Sequence, residues 1–262
     1  MIKPQKLLMG CLYGMSVLMT ACSSDNDATS SLGKGNISFN VTTETSFQTK
    51  ALNEADYRNL HNYTVELRQG SDLKSSWKYD ELPESIEIEA GTYQVKAYYG
   101  EDLAASRNSM YVEGTGNVTV NADQEEAQTV TVTCKPVCAK VTVKFSDEMD
   151  TYFSDYSVVF KTTALSSSTF VWNKNETDPV YLKVNQNESV SVDIRTTLKS
   201  NEKQSTVSKT YTMSPQTGLT INIAPVVTGD GDDSEGSLGI EIEIDRGTND
   251  IEQDIEVPTD WI

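Results

Sequence analysis

Cys22 has the most specific chemical setting in this chain. It follows Met19-Thr20-Ala21, with small side chains just before the thiol. Cleavage there would leave a cysteine at a new N-terminus, where a thioether to diacylglycerol forms on sulfur. Lys3 and Lys6 give a positive start, and Leu7 to Met19 form an apolar stretch too short to span a bilayer comfortably. Residues 1–21 therefore read as a lipoprotein signal peptide, with an ordinary secretory signal as the alternative. Acyl chains on Cys22, palmitate among them, would each add ~0.8 kcal/mol per buried methylene and hold the protein to a membrane. Residues 22–31 carry no apolar side chain larger than Ala and read as a flexible tether.

Other reactive groups are sparse. Cys134 and Cys138 are candidates for a disulfide in an oxidising compartment. Four residues of extended chain span roughly 13 Å, however, and disulfide Cα atoms need about 4.4–6.8 Å. A bridge would require a tight turn at Lys135-Pro136-Val137. The alternative is two free thiols, Cys134 buried and Cys138 half-exposed. A Cys-x3-Cys pair with no partner His or Cys is no metal site. The loop Asp230 to Glu235 is acidic and glycine-rich, but its glycines fall between the acids and no bidentate Glu stands where a calcium loop needs one, so it reads as a solvated linker. His61, the one histidine, sits before a strand and reads as a turn residue. No Gly-x-Ser-x-Gly, phosphate loop or nucleotide fingerprint occurs. The chain reads as a non-enzyme without cofactor or metal. Among the aromatics, Tyr98 points away from the apolar phase of its strand, and with Trp77 it is a candidate stacking platform for a sugar.

The elements that position these residues are strands. Ile37, Phe39 and Val41 alternate with polar neighbours, as do Tyr63, Val65 and Leu67. The same period of two recurs through 86–88, 93–99, 130–132, 141–145, 156–160, 190–194, 221–223 and 238–244. Short helical turns are expected only within 50–61 and 148–153. The pattern predicts an all-β chain of two tandem antiparallel β-sandwiches, Ig-like or transthyretin-like. The apolar phase is even at Val130, Val132 and Cys134, and odd at Ala139, Val141 and Val143. A one-residue slip exchanges the faces of a strand, and Pro136 cannot donate to a ladder. The boundary is therefore placed there, with sandwiches at 32–135 and 137–262. A faint repeat, Tyr63-Thr64-Val65-Glu66-Leu67 against Tyr156-Ser157-Val158-Val159-Phe160, hints at two copies, or at two amphipathic strands alike by default.

The chain has 262 residues, 21 Lys+Arg and 39 Asp+Glu. Two of the bases and none of the acids lie in residues 1–21, so the remainder carries −20 formally. That excludes a nucleic-acid binder, which needs a basic footprint.

Several stretches resemble an uncharacterised family of Bacteroides-type lipoproteins known as domain of unknown function 4493. They are Leu82-Pro83-Glu84-Ser85-Ile86-Glu87-Ile88-Glu89-Ala90-Gly91-Thr92-Tyr93, Val132-Thr133-Cys134-Lys135, Val141 to Asp147, Phe153 to Val158 and Ile255 to Trp261. The resemblance implies an outer-membrane lipoprotein and no catalytic residues. The acids after Cys22 resemble a surface-export signal, which implies a protein facing the cell exterior, the periplasmic face being the alternative. Tandem sandwiches on a lipid anchor also resemble fimbrial subunits in architecture. The expected role is binding, adhesion or assembly with a protein partner, or else glycan binding as an accessory lipoprotein of a glycan-utilisation system.

Overall fold

Strands form wherever apolar and polar residues alternate, and the polar Thr/Ser-rich stretches between them add more. The computed structural model describes residues 33–45, 55–228, 237–246, 251–256 and 258. The expected signal peptide, Cys22, the tether and the Asp230 to Glu235 loop lie outside the described residues. Eight strands come first: β1 Lys34–Thr43, β2 Thr64–Gln69, β3 Asp72–Lys78, β4 Ile86–Glu89, β5 Gly91–Tyr99, β6 Ala105–Ser106, β7 Val112–Val120 and β8 Gln124–Pro136. Nine follow: β9 Cys138–Phe145, β10 Phe153–Lys161, β11 Phe170–Asn173, β12 Val180–Lys183, β13 Glu188–Leu198, β14 Gln204–Met213, β15 Gly218–Thr228, β16 Ser237–Asp245 and β17 Ile251–Glu256. Two one-turn helices, α1 Ala55–Arg58 and α2 Met149–Tyr152, fall inside the two windows expected to be helical.

The strands build two sandwiches. In the first, β3-β2-β5-β7 packs over β8-β1-β4, and the sheets join where Val112 and Glu113 pair with Pro136 and Lys135. The fit is close: a Cβ on Gly114 would stand 2.5 Å from the Thr133 carbonyl oxygen. In the second, β11-β10-β13-β14 packs over β6-β12-β9-β15-β16-β17. One core gathers Ile37, Val65, Leu67, Val95, Val132 and Cys134; the other gathers Val141, Phe160, Trp172, Ile194, Ile221 and Ile242. The even phase of β8 feeds the first core, and the odd phase of β9 from Ala139 onward feeds the second. Cys138 still belongs to the first.

Neither sandwich is purely antiparallel. β1 runs parallel to β8, and β9 parallel to β15. A parallel pair needs a crossover rather than a hairpin, and the chain between first and last strand supplies it. The two sandwiches also repeat one plan. Strands β1 to β5 take neighbours that correspond to those of β9 to β13, β12 carrying β6 in addition. β7 and β14 hold equivalent places, as do β8 and β15, but β7 pairs with β8 whereas β15 pairs with β16 instead of β14. Val65 stands opposite Ala97 and Trp77, and Val158 opposite Ile194 and Trp172. The faint sequence repeat is thus a structural one.

The copies also differ in the connection between their middle strands. Between β13 and β14 residues 199–203 make a short hairpin, but between β5 and β7 residues 100–111 cross to the second sandwich. There β6 adds to β12, with Ser106 opposite Tyr181 and Ala105 opposite Leu182. The Lys183 ammonium reaches Asp102 at 2.6 Å. The Arg107 guanidinium lies 4.2 Å from the centre of the Trp172 ring and 5.1 Å from that of Phe170. It donates to Glu176 at 2.6 Å and to the Asp178 carbonyl. Gly100 opens this strap at φ +89°, and a Cβ there would stand 2.0 Å from the Met110 carbonyl oxygen, so only glycine fits. In return, Tyr181 of β12 is buried in the first core.

Candidate functional site

Trp77 lies on β3 opposite Val65, on the core face, where its ring meets Phe39 at 5.6 Å. Tyr98 pairs with Thr64 and faces the other way. The two aromatics therefore occupy opposite faces of one sheet and cannot form a single platform. Tyr98 donates to Glu66 at 3.0 Å, and the Lys96 ammonium sits 5.5 Å from its ring centre and 5.7 Å from that of Tyr111. Lys96 is in turn 2.7 Å from Glu113. Burial pushes the Tyr111 hydroxyl up to about 12.

Cys134 and Cys138 are free, and Cys138 is buried rather than half-exposed. Burial pushes both thiols up to about 12. Both side chains enter the first core from an extended run, which keeps them apart. His61 lies in a turn at Leu60–Asn62 beside Asp80. Among the described residues no group of three or more His, Cys, Asp or Glu is placed to hold a metal ion. Among them, too, no helix is long and apolar enough to cross a membrane.

Two features that the sequence did not single out emerge from the fold. The first is the edge strand β14. It pairs with β13 through ten consecutive residue pairs without a register shift. Among the described residues no strand pairs with its outer side. The Lys203 carbonyl accepts from the Leu198 N–H. Alternate residues of a strand face the same partner, so Gln204, Thr206, Ser208, Thr210 and Thr212 turn their backbone N–H and C=O outward. The Thr212 carbonyl, one of these, accepts from Arg246 at 3.1 Å. Edges are commonly blunted by bulges, charges or shortness. β3 has a bulge and the charges Asp72, Lys74 and Lys78, and β4 and β11 span four residues each. β14 has one charge, Lys209, and it reaches across to Asp254 at 3.1 Å and to Glu256 on β17. The Glu256 carboxylate first, then Asp254, holds the Lys209 ammonium above its ordinary value although burial opposes this.

The second feature is a cavity of about 620 Å³ at one end of the second sandwich. Phe145 and Tyr156 supply its aromatic surface, their rings 4.7 Å apart and edge to face. One wall is α2, anchored by the fully buried Met149, and the other is the β11–β12 loop at 174–177. Tyr156 donates to Asp150 Oδ1 at 3.2 Å. Lys174 Nζ lies 3.6 Å from the same oxygen, 5.5 Å from the Tyr156 ring centre and 3.1 Å from the Ser154 carbonyl, to which it donates. Burial, reinforced by the Asp150 charge, pushes the Tyr156 hydroxyl up to about 12, so it stays a neutral donor. A smaller cavity of about 290 Å³ shares Lys144, Phe145 and Ser146 and continues toward Asn222, Glu241 and Glu243. In the sequence Phe145 and Tyr156 are ordinary core positions of strands. Nothing local marks Asp150 or Lys174, because the groups come from separate segments.

The described body is two all-β sandwiches with open sheet edges and a pocket at one end. Its family follows from the sequence. The model for a domain of unknown function (DUF4493) matches residues 33–259, and the chain belongs to that family. A comparison with curated proteins gives no match. Among solved structures the chain is similar to a candidate adhesin from Bacteroides ovatus, at 9% identity and TM-score 0.47, covering 86% of this chain and 96% of that one. It is similar to a candidate cell adhesion protein from Bacteroides eggerthii, at 12% and 0.44, covering 82% and 96%. It is also similar to the fimbrial anchor protein Mfa2 from Porphyromonas gingivalis, at 9% and 0.41, covering 80% and 98%.

Proposed function

We propose that this chain is a non-catalytic lipoprotein of the outer membrane that faces the cell exterior and joins a protein partner in adhesion or fimbria-like assembly. Acyl chains on Cys22 hold it, residues 22–31 give reach, and two sandwiches divided at Pro136 carry the binding surface. The observation that supports the reading is β14, a ten-residue edge with regular pairing on one side and outward N–H and C=O groups on the other. A partner's strand can extend such a sheet, main-chain hydrogen bonds giving affinity and side-chain pockets specificity.

The test is Thr210→Pro. Thr210 turns its N–H outward, so the proline removes no bond to β13, but it takes away a donor and puts a ring in the path of an added strand. A partner captured on the wild-type protein from intact cells should bind the variant at least tenfold more weakly, with the thermal midpoint of the variant kept. Equal capture by both proteins would refute edge pairing. Mass spectrometry of the mature N-terminus reads the anchor directly: a bare Cys22, or protein shed by washing without detergent, would refute the location.

A further inference from the structure

The cavity between α2 and the β11–β12 loop is separate from the β14 edge, and its chemistry points to a different ligand. We propose that it binds a neutral sugar unit of a glycan.

Its size lies within the roughly 300–1,000 Å³ of small-molecule sites. A sugar ring presents an apolar C–H face and a rim of hydroxyls that both donate and accept. The Phe145 and Tyr156 rings offer the apolar surface. Asp150 offers the acceptor. Its side chain is 65% exposed, yet it is fixed by the Tyr156 hydroxyl at 3.2 Å and by Lys174 at 3.6 Å. A group that is both accessible and held costs little ordering when it binds. Lys174 supplies a donor beside it, and Asn175 and Thr177 line the same wall with an amide and a hydroxyl.

Charge selects the kind of sugar. The lining holds two cations, Lys144 and Lys174, against Asp147, Asp150 and Glu176, of which Lys174 lies beside Asp150 and Glu176 pairs with Arg107, so it carries no net positive charge. No surplus cation is left for a uronate or sulfate group, and the chain as a whole carries −18. An anionic glycan would be repelled on approach. The adjoining cavity past Phe145, with Asn222 and Glu243 hydrogen-bonded at 3.0 Å on its wall, leaves room for a second unit of the same chain.

The experiment is a glycan array followed by calorimetry on the mature protein, with neutral and acidic polysaccharides side by side. Binding to a neutral glycan is expected, lowered at least tenfold by Asp150→Ala and by Lys174→Ala. Thr177→Ala is the companion variant, an exposed loop position whose loss leaves the core intact, and it should weaken binding by a smaller factor. The result fails the inference if no neutral glycan binds, if acidic glycans bind better, or if a basic peptide binds instead and is lost with Asp150→Ala. It also fails if Tyr98→Ala, on the other sandwich, abolishes binding while Asp150→Ala does not.

Discussion

Arg107→Ala should free the strap of residues 101–110 from the second sandwich while both cores stay folded. The Arg107 side chain is 19% exposed and its partner Glu176 33%, so neither charge is fully screened. A partly desolvated cation over a Trp face is worth about 1–2 kcal/mol. A charge-assisted hydrogen bond contributes about 1.5–3 kcal/mol. The two share one guanidinium and do not add fully, so the loss should be roughly 2–4 kcal/mol. The strap opens locally before the cores do, so the assay is native-state hydrogen exchange at the amides of Ser106, which faces Tyr181 of β12, and Lys183, which donates to the Ala104 carbonyl. At about 1.36 kcal/mol per tenfold, exchange should speed up on the order of 30- to 900-fold. Arg107→Lys keeps the charge but loses the planar fork and the stacking, and should fall between. Exchange within threefold of wild type in Arg107→Ala would mean that β6 is held by its backbone and by Asp102–Lys183 alone, and the reasoning from Trp172 would be wrong.

Two further predictions concern titration. Glu188 accepts from the Thr163 N–H at 2.6 Å and from Asn185 at 2.7 and 3.0 Å. Burial pushes its carboxyl up, but these bonds outweigh it and hold the group below its ordinary 4.5. The stabilisation it gives is therefore present above pH 4.5 and lost as pH falls through the lower folded value. Glu188→Gln should cost about 1–3 kcal/mol at pH 7 and shrink the loss of stability between pH 5 and 3, read by denaturant melts at each pH; an unchanged acid slope would refute the assignment. Cys134 and Cys138, pushed up to about 12 by burial, should resist iodoacetamide at pH 8 in the folded protein and both react in denaturant. Modification of either in the native state, or a mass two hydrogens short, would contradict two buried free thiols.

Much of the fold is legible along the chain because a half-buried strand writes itself as alternation. Ile37-Phe39-Val41, Tyr93-Val95-Ala97 and Val190-Val192-Ile194 all became strands with those residues inward. Val132 and Cys134, before Pro136, lie in one core, and Val141 and Val143, after it, in the other. β14 was missed because Ser, Thr and Lys dilute Val207, Tyr211 and Met213, as befits an edge that need not bury both faces. β7 shows no full alternation because Gly114 and Gly116, which its close approach to β8 requires, carry no side chain to alternate.

What the sequence by itself determined was the class: acidic, all-β, and poor in groups that could do covalent chemistry. These are properties of local spacing and composition, and they hold whatever the pairing. Only the tertiary structure decided the parallel pairs β1–β8 and β9–β15, the shared plan of the two sandwiches, the strap carrying Arg107 to Trp172, and the meeting of Phe145, Asp150, Tyr156 and Lys174. Direction, register and long-range neighbours are set by which faces bury against each other, and no window of residues contains both faces.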